Sequence, residues 1–299
     1  MKQKVIVIAG PTASGKTDAA VQAAKEINGE IISADSMQIY KEMNIGTAKP
    51  TPEEMQGVPH HMLDVVSIAT PYSVALYQRQ AVACIEDIAR RGKTPIVAGG
   101  TGLYVNSLLY ELDFTQQSGN PDFRAALEAH TGAELHAMLA QKDPQAAGRI
   151  HPNDRKRLIR RLEILRNGGE DEYDFRRPNP VYRFVVAGLT MERAELYRRI
   201  ERRVDRMVDR GLFEEVAAIY AEYPSNLIAL QAIGYKEVVE FLENRCGREE
   251  AVDNIKKNTR RFAKRQYTWF NRIEGIRWFA SGDHKRPADE MIRFIEEER

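Results

Sequence analysis

The chain has 299 residues, 43% hydrophobic and 29% charged, enough for one large globular unit or two smaller ones. A net charge of +1 excludes a uniformly basic nucleic-acid binder, and two distant cysteines, Cys84 and Cys246, exclude a disulfide framework or a cysteine zinc site. The charge is unevenly placed: residues 1–150 carry 13 Lys/Arg against 16 Asp/Glu, and residues 151–299 carry 31 against 27, with the basic residues bunched. The first apolar run is too short for a signal or membrane segment, so a cytoplasmic protein is expected.

In chain order, Lys4–Ala9 reads as a buried strand, short, β-branched and stopped by Gly10-Pro11. A helix is expected over Asp18–Ile27, a second strand over Glu30–Ala34, and a long helix over Tyr72–Arg91. Thr94–Ala98 is another buried strand, stopped by Gly99-Gly100. Such alternation gives a parallel sheet covered on both faces. From about Phe114 the texture becomes polar and turn-rich, with helices near Asp122–Ala129, Ala133–Gln141 and Asn153–Arg166. "RFVVAGLTM" then returns as a strand, followed by basic helices over Arg193–Arg210, Leu212–Ala221 and Glu249–Asn271. The expected fold class is α/β: a P-loop NTPase-like parallel core from residues 1–114 and 181–299, interrupted by a mostly helical insertion over 115–180. No internal repeat is present.

Gly10, Pro11, Thr12, Ala13, Ser14, Gly15, Lys16 and Thr17 spell GxxxxGK[ST] between a strand and a helix. Glycines let backbone N–H groups curl around a diphosphate, and the helix N-terminus adds its positive end. Lys16 reaches the outer phosphate, and Thr17 offers its hydroxyl to Mg²⁺. An ATPase normally adds a strand ending in a carboxylate, but "TPIVAGG" ends in glycines and Thr101. The carboxylate stands instead at Asp35, after the second strand, where ligands of open α/β sheets bind. There it either serves as a base or caps the turn that follows.

The loop, "ISADSMQIYKEMNIGTAKP", "GVPHHMLDV", "YSVALYQRQA", "IVAGGTGLYVNSLL", "HPNDRKRLIRRLEI", "GLTMERAELYRRIERRVDRMV", "QAIGYKE" and "NTRRFAKRQYTWFNR" together resemble the tRNA dimethylallyltransferase family, in the family's order and out to about Arg272. That resemblance implies transfer of a dimethylallyl group from dimethylallyl diphosphate to N6 of the adenine 3′ of the anticodon. It implies that Thr12–Thr17 bind the diphosphate with Mg²⁺, that Asp35 is the general base, and that Ser36, Met37 and Gln38 line the flipped adenine. Thr101 would lie where the two substrates meet. It further implies tRNA contacts from Lys156, Arg157, Leu158, Ile159 and Arg160, and from Gln231, Gly234, Tyr235 and Lys236. The chain departs from the family at Lys156, where many members have Gln, and at Leu76-Tyr77, where Asp-Phe is favoured. The insertion also looks short near residues 118–120, 130 and 168–172, and the zinc finger that some relatives append has no cysteine pair here.

Arg157, Arg160 and Arg161 stand at helical spacing to face a phosphate backbone. "TRRFAKRQYTWF" interleaves basic and aromatic residues, a pattern that stacks bases but more often marks a helix packed on a core. Arg199, Arg202 and Arg206 alternate with Glu195, Glu201 and Asp205, as in i,i+4 pairing on a solvated helix. His60-His61 has no partner cluster and is read as structural. A P-loop small-molecule kinase, with Asp35 holding an acceptor hydroxyl, is the competing enzyme; a non-catalytic RNA-binding module is the third reading. No obligate protein partner is expected, and a monomer is the expected state.

Overall fold

A computed structural model describes residues 2–112, 120–168, 177–223, 227–282 and 287–298. The polar stretches at 113–119 and 169–176 lie outside the described residues. The elements run β1 (Gln3–Ala9), α1 (Lys16–Glu26), β2 (Gly29–Ser33), α2 (Pro52–Met55), β3 (His60–His61), α3 (Val74–Arg90), β4 (Thr94–Gly99), α4 (Gly102–Leu109), α5 (Pro121–Glu128), α6 (Gly132–Lys142), α7 (Pro144–Arg149), α8 (Arg155–Arg166), β5 (Tyr182–Thr190), α9 (Arg193–Asp209), α10 (Leu212–Glu222), a 3-10 turn (Ala229–Gln231), α11 (Tyr235–Leu242), α12 (Arg248–Phe270), β6 (Arg277–Ala280) and α13 (Pro287–Glu297). They divide into two compact units, residues 1–109 with 179–299, and residues 110–178. No helix among the described residues is long and apolar enough to cross a membrane.

The larger unit holds a six-stranded, wholly parallel sheet in the order β3-β2-β4-β1-β5-β6. Strand β1 is apolar on both faces because both are covered. Ile6 and Ile8 join Ile31, Ile96, Val185 and Leu189 under α1 and α13, while α3 packs on β2 and β4 with Tyr77, Ala81, Ile85 and Ile88 buried. All six strands end on the same side, so the loop after β1, Asp35 after β2 and Thr101 after β4 share one rim of the sheet. At the opposite end of β2 the buried Glu30 accepts two bonds from Arg91, at 2.5 and 2.7 Å, one from Lys93 at 2.8 Å, and meets His61 Nε2 at 2.7 Å. Arg91 above all holds this carboxyl far below its usual range. His60 meets the Val58 carbonyl at 2.9 Å, so both histidines have partners within the fold.

Several elements carry no clear periodic signal in sequence. Helix α4 is buried from Tyr104 to Leu109, which erases the apolar stripe. Strand β6 has four residues with only Phe279 buried. In α3, Tyr77 stacks on Tyr104 with ring centroids 3.9 Å apart. Its buried hydroxyl finds no hydrogen-bond partner among the described residues. Tyr77→Phe is therefore expected to raise the unfolding free energy by about 1 kcal/mol, since it removes an unsatisfied polar group and keeps the ring. Urea unfolding checks this; a loss of stability would mean that the hydroxyl is satisfied after all.

The smaller unit is helical. Leu158, Ile159 and Leu162 of α8 pack with Leu127, Leu135 and Leu139 in its core. Leu158 and Ile159 therefore point inward: a helix exposes one face, not a contiguous stretch. Arg161 also points inward: it is buried and bonds Asp143, the N-cap of α7, through Nε at 2.8 Å. The Ala146 N–H and then Arg161 hold the Asp143 carboxyl below its usual range. Lys156 and Arg157 are exposed, and Arg160 is half-buried beside Glu163 at 3.6 Å, so these three keep the basic outer face.

Candidate active site

The strand-to-helix turn builds the first half of the site. Gly15, at φ 87°, caps α1 in the left-handed region that glycine tolerates, turning the loop back over the helix start. Lys16 bends over the loop, its amine donating to the Pro11 carbonyl at 2.5 Å. Its side chain is half-buried. That desolvation pulls the amine down to about 7; Arg203 adds to the effect and Asp35 opposes it. Thr17 is exposed in the first turn, whereas Ser14 is fully buried.

The second half follows β2. Asp35 Oδ1 accepts from the Met37 N–H at 2.9 Å and the Gln38 N–H at 3.4 Å. Its Oδ2 takes no hydrogen bond from a described residue. One oxygen thus caps the turn and leaves the other open. Thr101 Oγ1 accepts from the Ser36 N–H at 3.0 Å and donates to Ser36 Oγ at 3.3 Å, while the Thr101 N–H bonds the Ala34 carbonyl at 3.0 Å. Gly99 allows this close seam, because a Cβ there would collide with the Ala34 backbone. Gln38 is braced by the Thr47 and Ala48 carbonyls at 3.2 and 3.3 Å and by Ser33 Oγ at 3.2 Å.

The structure adds Arg203, which the sequence reading left out. It lies on α9, its charge acts on both Lys16 and Asp35, and burial lowers its own pKa. Arg203 forms no hydrogen bond or ion pair with a described residue. Its position three residues past the buried Ile200 was the available signal, a cation beside the apolar stripe Leu196, Ile200 and Val204. Two acids of the same helix reach across to α12, Glu201 to Arg260 at 2.8 Å and Asp205 to Lys256 at 2.6 Å. The expected pairing within one solvated helix is to that extent replaced by pairing between helices.

The "QAIGYK" stretch is split by burial. Gln231 is exposed and Lys236 half-buried, while Gly234 and Tyr235 are buried. Tyr235 is wholly buried and acts as a clamp: its hydroxyl donates to Glu215 at 2.6 Å. Glu215 also accepts from the Asn44, Ile45 and Gly46 N–H groups at 2.9, 2.8 and 3.0 Å, fastening the loop whose later carbonyls brace Gln38. Glu215→Ala leaves four donors without their acceptor and is expected to cost about 2–3 kcal/mol, against about 1 kcal/mol for Tyr235→Phe. Denaturant melts read both, and equal losses would refute a carboxylate-centred clamp.

Residues 38–273 match the sequence profile of the IPP transferase family. A tRNA dimethylallyltransferase from Alkaliphilus oremlandii is 50% identical over 287 residues, covering 93% of this chain and 92% of that one. One from Bacillus licheniformis is 50% identical over 285 residues, covering 93% and 91%. Among solved structures, the tRNA isopentenylpyrophosphate transferase from Bacillus halodurans superposes with a TM-score of 0.78 at 44% identity, covering 99% of this chain and 96% of that chain. A eukaryotic dimethylallyltransferase, captured acting on tRNA, superposes with a TM-score of 0.79 at 33% identity, covering 94% and 74%. With a phosphate loop, its lysine and a half-free carboxylate on one rim of the sheet, and with this degree of likeness along its length, the chain belongs to the IPP transferase family.

Proposed function

We propose that the protein transfers a dimethylallyl group from dimethylallyl diphosphate to N6 of the adenine 3′ of the anticodon in tRNA. The observation that carries this reading is the open Oδ2 of Asp35, electrostatically coupled to Lys16 and Arg203, with no carboxylate at the end of β4. The loop N–H groups and these two cations stabilise the negative charge that develops on the departing diphosphate. The N6 amine is a weak nucleophile, its lone pair being delocalised into the ring. Its attack on the allylic C1 forms the C–N bond as the C–O bond to diphosphate breaks, and Asp35 takes the N6 proton. Ser36, Gln38 and Thr101 hold the wall beside that carboxylate. The base leaves the anticodon stack to reach it.

Thr17 is the protein hydroxyl suited to Mg²⁺, and among the described residues no group of three His, Cys, Asp or Glu gathers as a metal site. That donor set fits an ion carried in on diphosphate oxygens. When bound, Mg²⁺ supplies further charge neutralisation to the leaving group. The basic face of α8, at Lys156, Arg157 and Arg160, together with Gln231 and Lys236, supplies candidate phosphate contacts. The reading places the protein in the cytoplasm as a monomer.

The test is incubation with anticodon stem-loop RNA, labelled dimethylallyl diphosphate and Mg²⁺, repeated with ATP alone. Label entering RNA at the adenine N6 is the expected result. Phosphate transfer or ATP turnover without RNA labelling would establish the kinase instead, and RNA binding with neither activity would establish a binding module.

A further inference from the structure

The stretch "AKRQYTW", at the end of α12, contributes a side chain that no reading of its basic and aromatic residues uses. Gln266 is only 5% exposed. Its Oε1 accepts from the Thr12 N–H of the phosphate loop at 2.8 Å. Its Nε2 donates to the Gly100 carbonyl at 2.9 Å. One planar amide thus ties the rim of β1 to the rim of β4. The next residue extends the tie to β5, where the Tyr267 hydroxyl accepts from the Met191 N–H at 3.0 Å.

We infer that Gln266 is a positioning residue that fixes the distance between the diphosphate loop and the acceptor wall. This rests on the prenyl-transfer reading above. Thr12 lies in the phosphate loop just before the N–H groups that would hold the leaving group, and Gly100 precedes Thr101, which supports Ser36 beside Asp35. A carboxamide alone offers an acceptor and a donor on one rigid plane; glutamate lacks the donor and methionine lacks both. The tie also commits the Thr12 N–H to the protein, so the diphosphate is gripped by the N–H groups from Ala13 onward. Gly100 leaves the required room, since a Cβ there would run into Gln266 Nε2.

Reacting groups misplaced by about 1 Å lose on the order of 100-fold in rate. Gln266→Met is therefore expected to lower kcat by roughly 10- to 100-fold, with KM for RNA unchanged and kcat expressed per folded molecule. Gly100→Ala disrupts the same contact from the other side and should give the same split. The double variant should be no slower than the slower single one, because both remove one interaction. Amide exchange over residues 10–17 should quicken in Gln266→Met, a readout independent of activity. Unchanged kcat in both variants, additive losses, or unchanged exchange would overturn the inference. A wild-type protein that labels no RNA would instead refute the prenyl-transfer reading, while the exchange measurement would still decide whether the tie exists.

Discussion

Asp35→Asn is expected to lower kcat for RNA prenylation by roughly 100- to 10,000-fold, the range for removing a positioned general base. Asparagine keeps a side-chain oxygen for the Met37 and Gln38 N–H groups, so the turn after β2 survives. What disappears is the second oxygen, which has no described donor and is open to the N6 proton. Asp35→Ala removes both functions and should add a stability loss of about 1 kcal/mol, the usual worth of a capping side chain. The two variants thus separate capping from catalysis: similar rates but different melting points are expected. Asp35 also raises the pKa of Lys16, so its neutralisation shifts the lysine further down. Single-turnover labelling of stem-loop RNA, with the protein saturated in prenyl diphosphate, isolates the chemical step. If Asp35→Asn keeps near wild-type single-turnover rates, the carboxylate is a cap and nothing more.

The parts of this site that were legible in sequence are those contiguous along the chain. The loop between β1 and α1 announces itself because strand, turn and helix must follow one another for the cradle to form. Asp35 was legible because a parallel sheet puts all its strand ends on one rim, whereas the place of Thr101 came only with the family resemblance. Arg203 and Gln266 were not, although both sit among buried residues of their helices. On α12 the buried positions run Ala251, Ile255, Ala263, Gln266 and Phe270, with one amide among apolar neighbours. A polar residue in such a stripe must find partners, and sequence alone does not say that they lie on β1 and β4, more than 160 residues away. Leu158, Ile159 and Tyr235 show the opposite case. A contiguous motif is not a contiguous exposed surface, because burial allots alternate faces of a helix to core and solvent. The basic outer residues Lys156, Arg157 and Arg160 survive that sorting; the apolar ones between them do not.

The largest remaining effect is expected at Lys16, and its signature is a pH profile. Lys16→Met should lower kcat by roughly 100- to 1,000-fold, the scale for losing one donor to a developing anion in a water-poor site. In the free protein, burial and Arg203 bring the Lys16 amine to about 7 from 10.5. As pH rises through about 7 the free enzyme therefore loses the proton that attracts diphosphate, and kcat/KM for the prenyl diphosphate should fall. Once diphosphate is bound, its negative charge holds the proton, so kcat should persist to higher pH than kcat/KM. Lys16→Arg keeps a cation throughout and should abolish the fall at whatever rate it retains. The same shift fixes the sign for stability. Between about 7 and 10.5 the unfolded chain binds more protons at this residue than the folded protein does, so the ligand-free protein gains stability as pH rises across that interval. Lys16→Met removes that dependence and should be the more stable form at neutral pH, but without the stabilisation that added diphosphate gives the wild type. A kcat/KM profile that falls equally in Lys16→Arg would assign the titration to another group and remove Lys16 from the proton balance of substrate binding.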